Sequence, residues 1–133
     1  MTLDQALDHL ADMLGITVRD DTTGKLHGHP AGWFPHTRTI LTRPGLGPTN
    51  RRCNLAHELA HAVHGDPPGH HPRAERRAWE TAAQWLIHPT EYADAEKCYG
   101  PHPGALAAEL GVTRHLIEVW QTMTTRHREN QLT

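Results

Sequence analysis

The sequence has little of several features that would assign a protein to a class at once. Its 2 cysteines, Cys53 and Cys98, are far apart and form no Cys-x-x-Cys pair, so neither a disulfide framework nor a cysteine metal site is indicated. It has no run of about 18 apolar residues that could cross a membrane. Residues 1–14 carry acids rather than a basic run before an apolar stretch. We therefore expect a cytoplasmic protein without a membrane segment.

Aromatic residues and an excess of positive charge are also lacking. Aromatics make up 5% of the 133 residues, so the core must rest on Leu, Ala, Ile, Val and the 4 Trp. The formal net charge is -2, which does not produce the positive field that attracts nucleic acids. The length fits one compact domain. DNA binding is therefore not expected, although it is kept as an alternative.

Apolar spacing, together with Gly and Pro stops, predicts a small sheet and several helices, which is an α+β fold. The predicted strands cover residues 16–18, 26–34 and 37–42. The predicted helices cover residues 2–14, 50–64, 72–87, 90–98, 104–110 and 113–127. The 13 histidines lie mostly in loops rich in Pro and Gly, without regular spacing, so their number alone does not indicate a metal.

The predicted helix over residues 50–64 contains the segment His-Glu-Leu-Ala-His at residues 57–61. Two histidines four residues apart lie one turn above each other on one helix face, so both imidazoles can reach one zinc ion at bonds of about 2.0–2.1 Å. Glu58 lies at the edge of that face, where its carboxylate can accept a proton from water. The spacing predicts two metal ligands, His57 and His61, and one catalytic base, Glu58.

A catalytic zinc site needs a third protein ligand and an open position for water. A third histidine does not follow in the same segment, because Pro67 stands at that position. The next helix offers two candidates, Glu75 and Glu80, which are five residues apart and so lie on different faces. Only one of them can reach the metal. Ala78 and Ala82 continue the face of Glu75 with small side chains, which favours Glu75 and leaves Glu80 as the alternative.

Three further residues are candidates for contact with substrate. His64 lies one turn beyond the second histidine ligand, and His88 and Tyr92 lie just past the second helix. A hydrogen bond from His88 or Tyr92 can stabilise the oxyanion of a tetrahedral intermediate. Trp79 and Trp85 stand at helical spacing and are predicted to lie in the core rather than in a substrate pocket.

Several segments around these candidates share the pattern of a known family: Leu-Ala-His-Glu-Leu-Ala-His-Ala at 55–62, Glu-Arg-Arg-Ala at 75–78, Ala-Ala at 82–83 and Leu-Ile at 86–87. Over residues 51–89 the chain resembles the ImmA/IrrE family of metallopeptidases. In that family the two histidines and the glutamate of a Glu-x-x-Ala segment bind zinc. The resemblance implies one Zn²⁺ per chain, held by His57, His61 and Glu75, with Glu58 as the catalytic base.

The resemblance also implies a fold and a kind of substrate. Members look like reduced gluzincins, in which a small twisted sheet lies beside the active-site helix and its edge strand can pair with an extended peptide. Residues 37–42 are the expected edge strand. Members are often encoded by phages and mobile elements and resemble antirepressors that cleave or otherwise inactivate a helix-turn-helix repressor. Trp79 and Thr81 depart from the family, which often has Asn or Asp and an aromatic residue there.

The two last predicted helices meet at Gly111 and look like a helix-turn-helix, with Thr113 as the cap of the second helix. The second helix soon reaches Glu118 after Arg114, so it offers few side chains to base edges and phosphates. We therefore expect these helices to pack against the core or to dock a repressor, rather than to read DNA.

Taken together, these patterns predict one compact unit with a zincin-like metallopeptidase core over residues 1–99. Residues 100–133 are predicted to form a helical extension that packs on this core. The expected function is that of a zinc-dependent endopeptidase that hydrolyses a peptide bond in a specific protein, expected to be a transcriptional repressor. The alternative is a metal-containing regulatory protein that binds a repressor or DNA without proteolysis.

Overall fold

The computed structural model describes residues 1–132, which form six helices and one three-stranded sheet. The α+β fold class predicted from the sequence is confirmed. All six predicted helices are present, and the last one extends beyond its predicted end. In chain order the elements are α1 (Leu3–Met13), β1 (Thr17–Asp20), β2 (Ala31–Phe34), β3 (Thr39–Thr42), α2 (Pro48–His64), α3 (Pro72–Leu86), α4 (Pro89–Tyr99), α5 (Pro103–Leu110) and α6 (Arg114–Leu132).

Local signals in the sequence set the ends of the helices. Thr2 and Gln5 form a capping box at the start of α1, in which each side chain accepts a hydrogen bond from the other residue's backbone N–H. Gly65 ends α2 in the left-handed conformation, with φ 68°. Proline suits the first helical turn because it has no N–H to leave unpaired, and it begins four helices, at Pro48, Pro72, Pro89 and Pro103.

The strand order is β1-β3-β2, with β3 in the centre. β3 pairs in parallel with β1 and in antiparallel with β2, so both of its edges are used. Its side chains Ile40 and Thr42 are buried, and the strand packs against α2. The prediction that residues 37–42 form the edge strand was therefore wrong. β2 is instead an edge strand of the sheet.

The predicted strand over residues 26–34 begins later than expected, because its first residues are held in turns. The carboxylate of Asp21 accepts hydrogen bonds from the backbone N–H groups of Thr23, Lys25 and Leu26. The hydrogen bond from the Leu26 N–H is the main reason that the pKa of Asp21 lies below its ordinary value. Backbone N–H groups that donate to this side chain do not pair with a neighbouring strand, so β2 starts only at Ala31.

The interior is centred on α2, which packs closely against α3. The facing side chains are small or medium in size, so the two helix axes can approach each other. This brings the first turn of α3 close to the ligand face of α2. The buried residues at this interface and behind it are Leu55, Ala56, Leu59 and Ala60 of α2 and Ala78, Ala82 and Ala83 of α3.

α6 packs on α3, and α5 packs against α4 and α6. Leu116, Ile117 and Trp120 of α6 are buried there. The backbone N–H of Thr113, just before α6, donates a hydrogen bond to Cys53 Sγ at 3.4 Å. Burial raises the pKa of the Cys53 thiol, which keeps it neutral and suits it to a structural position. This cysteine therefore joins α2 to the C-terminal helices.

Arg52 ties three separate parts of the chain together. Its Nε and Nη2 atoms donate to the two carboxylate oxygens of Asp4 at 2.8 and 3.2 Å, and its Nη1 donates to the carbonyl oxygen of Gly111 at 2.6 Å. The hydrogen bond from Arg52 lowers the pKa of Asp4 from its ordinary 3.8, although partial burial acts in the opposite direction. α1, α2 and the turn before α6 are thus fixed to one guanidinium.

We expect Asp4→Asn to lower the free energy of unfolding of the metal-free protein at pH 7 by about 0.5–1 kcal/mol, because the Asp4 carboxylate is only partly buried. The pKa of Asp4 is depressed in the folded state, so its contribution is complete above 3.8 and is lost as the pH falls through the folded pKa. Urea unfolding at pH 7 and near pH 3 measures the difference. Asp8→Asn, an exposed change on the same helix, is the control. An equal loss at both pH values would contradict this account.

Candidate metal centre

Helix α2 carries three polar side chains into the interior of the protein. His57, Glu58 and His61 are only 6–8% exposed. The helical spacing of four residues places the two imidazole rings next to each other, with centroids 4.6 Å apart. Buried polar groups are costly unless they have partners, so three of them on one helix indicate a built site.

The third member of the site comes from the first turn of α3. Glu75 Oε2 lies 2.9 Å from His57 Nε2, and Glu75 Oε1 lies 2.9 Å from His61 Nε2. The potential ligand atoms of these three residues all lie within 4.8 Å of one another. A tetrahedral zinc ion with bonds of about 2.1 Å keeps its ligand atoms about 3.4 Å apart. The three side chains therefore converge on one point, as metal ligands must.

The structure separates the two glutamates that the sequence offered as the third ligand. Glu80 lies on another face of α3, where Arg126 Nη2 of α6 donates to its carboxylate at 2.5 Å. Glu75 faces the histidines of α2, and its side chain is 29% exposed. The two roles differ because a separation of five residues turns the side chain to another face of the helix.

The hydrogen-bonding pattern of His61 supports a cation at this point. Its Nδ1 lies 2.9 Å from Asp66 Oδ2, and its Nε2 lies 2.9 Å from Glu75 Oε1. A neutral imidazole has a single N–H, so if Nδ1–H donates to Asp66, the Nε2 lone pair points at a carboxylate. Such a contact is repulsive unless a proton or a metal ion lies between the two acceptors. Two histidines and one glutamate form a donor set of catalytic zinc sites, so these residues fit a zinc ion.

Asp66, which the sequence reasoning missed, supports the metal centre from behind. It is buried directly after the end of α2, and its carboxylate accepts from His61 Nδ1 and from Arg77. Burial alone would raise its pKa, but the hydrogen bond from His61 and the charge of Arg77 outweigh burial and lower it. A carboxylate on the far nitrogen orients a metal-binding histidine. The signal in the sequence was an acid one residue past the glycine that ends the helix.

Trp79 was predicted to lie in the core rather than in a substrate pocket. It packs against the hydrophobic cluster, but it also lines the cavity beside the three converging side chains, so the second part of the prediction was wrong. Its ring also stacks on His57, with centroids 3.9 Å apart and planes 11° from parallel. The ring of His115 of α6 meets the same indole edge-on, with ring centroids 4.6 Å apart. The indole therefore restricts the orientation of the His57 ring and links that ring to α6. Trp79 stands at one of the two positions where the sequence departs from the family pattern.

A cavity of about 390 Å³ opens beside the three converging side chains, and Glu58 lines it with them. Glu58 Oε1 lies 3.3 Å from His57 Nδ1. The remaining wall comes from β2, from the loop before β2, from the loop after α2, and from Asn54 of α2 and Trp79 of α3. The cavity is thus bounded by the sheet on one side and by the metal centre on the other.

The structure does not bring the other predicted substrate contacts to this cavity. His64 is hydrogen-bonded to Thr81 Oγ1, and His88 caps α4 by accepting from a backbone N–H. The hydroxyl of Tyr92 accepts from Gln121 of α6 at 3.1 Å. Within residues 1–132 none of the three lines the cavity. Their helical positions turn them toward α3, α4 and α6 instead.

β2 presents free hydrogen-bonding groups at the edge of the sheet. The backbone N–H of Arg43 donates to the carbonyl of Pro30, which lies opposite it just before β2. In an antiparallel ladder, hydrogen-bonded residue pairs alternate with non-bonded pairs, so the next residue that is hydrogen-bonded to β3 is Gly32. Ala31 and Trp33 therefore direct their N–H and C=O groups away from β3. Both residues line the cavity.

An α+β fold in which two histidines of a buried helix and a glutamate of the next helix converge on one point, with a second glutamate in the same cavity, is the arrangement expected of a zincin-like domain. Residues 11–119 match the model of the peptidase M78 family, described as the IrrE N-terminal-like domain. The chain belongs to this family, and the predicted ImmA/IrrE resemblance is confirmed. Its function is accordingly of the metallopeptidase type. A search of the curated proteins found no relative.

Within residues 1–132, no helix combines the length and the apolar character that crossing a bilayer requires.

We expect the wild-type chain to retain about one zinc ion after equilibration with zinc and dialysis, and Glu75→Ala to lose it. Removing a ligand should weaken zinc binding by more than about 100-fold, because outer partners alone contribute about 10–100-fold. Elemental analysis of the purified chains measures this. Glu80→Ala removes a carboxylate from the same helix and should keep its zinc. Loss of zinc from Glu80→Ala alone would contradict the assignment.

Proposed function

We propose that the chain is a zinc-dependent endopeptidase that hydrolyses a peptide bond in a specific protein. The observation that supports this most strongly is that Glu58 lines the same cavity as His57, His61 and Glu75. A zinc ion, when bound, polarises a peptide carbonyl and makes water a better nucleophile near neutral pH. A cytoplasmic location is part of the proposal, because both cysteines are free thiols.

Each residue of the centre has a separate role in this reaction. His57, His61 and Glu75 hold the metal, and Asp66 fixes the ring of His61. Glu58 takes a proton from the attacking water as the water oxygen bonds to the carbonyl carbon. It then passes that proton to the nitrogen of the leaving amine as the carbon–nitrogen bond breaks. The burial of Glu58 keeps this transfer away from bulk water.

The substrate would bind as an extended segment along β2. A peptide can add a strand to an exposed sheet edge through backbone hydrogen bonds. The outward N–H and C=O groups of Ala31 and Trp33 are available for such pairing and lie along the cavity that contains Glu58. This places the backbone of the peptide beside the proposed catalytic base.

The identity of the substrate is inferred from the family resemblance, which favours a helix-turn-helix transcriptional repressor. The alternative is a metal-containing regulatory protein that binds a repressor or DNA without cutting it. The burial of α6 residues against α3 favours residues 100–133 as a structural extension of the core over residues 1–99. Arg114 is paired with Glu118 at 3.0 Å, which reduces what α6 can offer to phosphates.

We expect Glu58→Gln to abolish peptide hydrolysis, with a fall of at least about 100-fold, because the amide cannot accept the proton of water. Zinc-loaded chains are incubated with a peptide library made from digested cell protein, and new N-termini are read by mass spectrometry. Zinc content should stay at the wild-type level, since Glu58 is outside the ligand set. A Glu58→Gln chain that retains full activity would exclude this base. One that retains the effect on a repressor without cutting it would favour the alternative.

We expect Ala31→Pro to raise KM by about 10-fold or more, since it removes an outward N–H from β2 without breaking a bond to β3. The substrate for the assay is a peptide identified from the library. Ala31→Ser keeps the N–H and serves as the matched control. Zinc content and thermal unfolding of both variants check that the site is intact. Equal KM values for the two variants would show that the peptide does not pair with this edge.

A further inference from the structure

The cavity beside the metal centre has a second group of polar side chains that the proposed chemistry does not use. Lys25, His27 and His29 come from the loop before β2, and His70 comes from the loop between α2 and α3. We call these four residues the basic rim. All four are exposed and all line the cavity.

The loop that carries most of the basic rim is held in place at both ends. The Asp21 carboxylate accepts from the N–H of Lys25 at 3.1 Å, and Arg43 Nη1 donates to the carbonyl of Gly28 at 2.7 Å. Across the cavity, the rings of His29 and His70 lie 6.0 Å apart. Three of the four rim residues are therefore carried by a loop whose backbone is held by hydrogen bonds, and the fourth, His70, contacts the ring of His29.

The polar groups of the rim side chains have no hydrogen-bond or ion-pair partner within the described part of the chain. The acids that line the cavity are Glu58 and Glu75, and both belong to the metal centre. The formal net charge of -2 counts histidine as neutral, so Lys25 supplies the formal positive charge of the rim and the three histidines supply imidazole N–H donors. A wall of a cleft that carries positive charge and N–H donors attracts ligands of negative charge.

A second metal ion does not account for the rim. Within residues 1–132 the group His57, His61 and Glu75 is the one set of three potential ligands whose atoms lie within 4.8 Å of one another. Ammonium and imidazole N–H groups that point into a substrate cleft are instead suited to carboxylates.

We propose that the basic rim binds acidic side chains of the substrate, so that the enzyme selects acidic segments of its protein target. This inference rests on the proposed peptidase function. The loop of the rim leads directly into β2 at Pro30, so a peptide that pairs with Ala31 and Trp33 passes the rim within a few residues. The backbone pairing would supply affinity for any extended peptide, and the rim would supply the preference.

The test compares cleavage maps from the same library of cell-derived peptides. The zinc-loaded wild-type chain is expected to cut sites enriched in Asp and Glu within a few residues of the cleaved bond. The double variant Lys25→Glu, His29→Glu should lose that enrichment and turn toward Lys and Arg, with cleavage of acidic sites falling by about 10-fold. The control is Lys97→Glu, His9→Glu, which makes the same charge change at exposed positions outside the cavity. It should keep the wild-type map.

The outcomes separate this inference from the function on which it rests. Cleavage without acidic enrichment, or enrichment that the double variant keeps, overturns the role of the rim and leaves the peptidase function standing.

If no preparation cuts any peptide, the peptidase function fails, and the role of the rim is then tested by peptide binding. The zinc-loaded Glu58→Gln chain is then titrated with two labelled, end-blocked peptides of alternating Ala and Glu or Ala and Gln. Fluorescence anisotropy should give at least about 5-fold tighter binding of the Glu peptide at low salt. Equal affinities overturn the proposal.

Discussion

The metal centre depends on where α3 begins relative to α2. Glu75 meets both histidines only because it lies in the first turn of α3, and a shift of one residue would rotate its side chain by about 100°. Asp66 holds that register. Its N–H donates to the carbonyl of His61, and its carboxylate contacts the ring of His61 and the guanidinium of Arg77 on α3. One residue thus fixes a ligand ring and the start of the connection between the two helices.

The close approach of α2 and α3 limits how much apolar surface they can bury together. Ala78 and Ala82 allow the helices to come near each other, but alanine side chains contribute little burial. The opposite side of α3 is covered by α6, which buries larger side chains such as Leu116 and Trp120. The indole of Trp79 lies between α2 and α6, where it stacks on the ring of His57 and contacts His115. The C-terminal helices therefore help to hold the helix that carries Glu75.

The sequence predicted the features of the site that depend on local spacing. The separation of His57 and His61 places them on one helix face whatever the rest of the chain does, and the face of Glu75 continues in small residues. The strand order could not be read in this way, because the pairing of β3 with two strands is decided by contacts distant in sequence. The contact of Asp66 with His61 depends on how the chain leaves α2, which a helical pattern does not contain.

A metal centre and a free sheet edge treat most peptide bonds alike, because both act on backbone atoms that every residue shares. Selectivity for one protein must therefore come from side chains around the cavity. Two walls of the cavity have other roles in the proposed reaction: one is formed by the metal centre, and the other carries the outward backbone groups of Ala31 and Trp33. Apart from Asn54 and Trp79, the remaining lining comes from the loop held by Asp21 and the loop that follows α2. The side chains of Lys25, His27, His29 and His70 in these loops make no hydrogen bond or ion pair within residues 1–132. Three of the histidines in loops, His27, His29 and His70, line the cavity in which we propose that substrate and catalytic base meet.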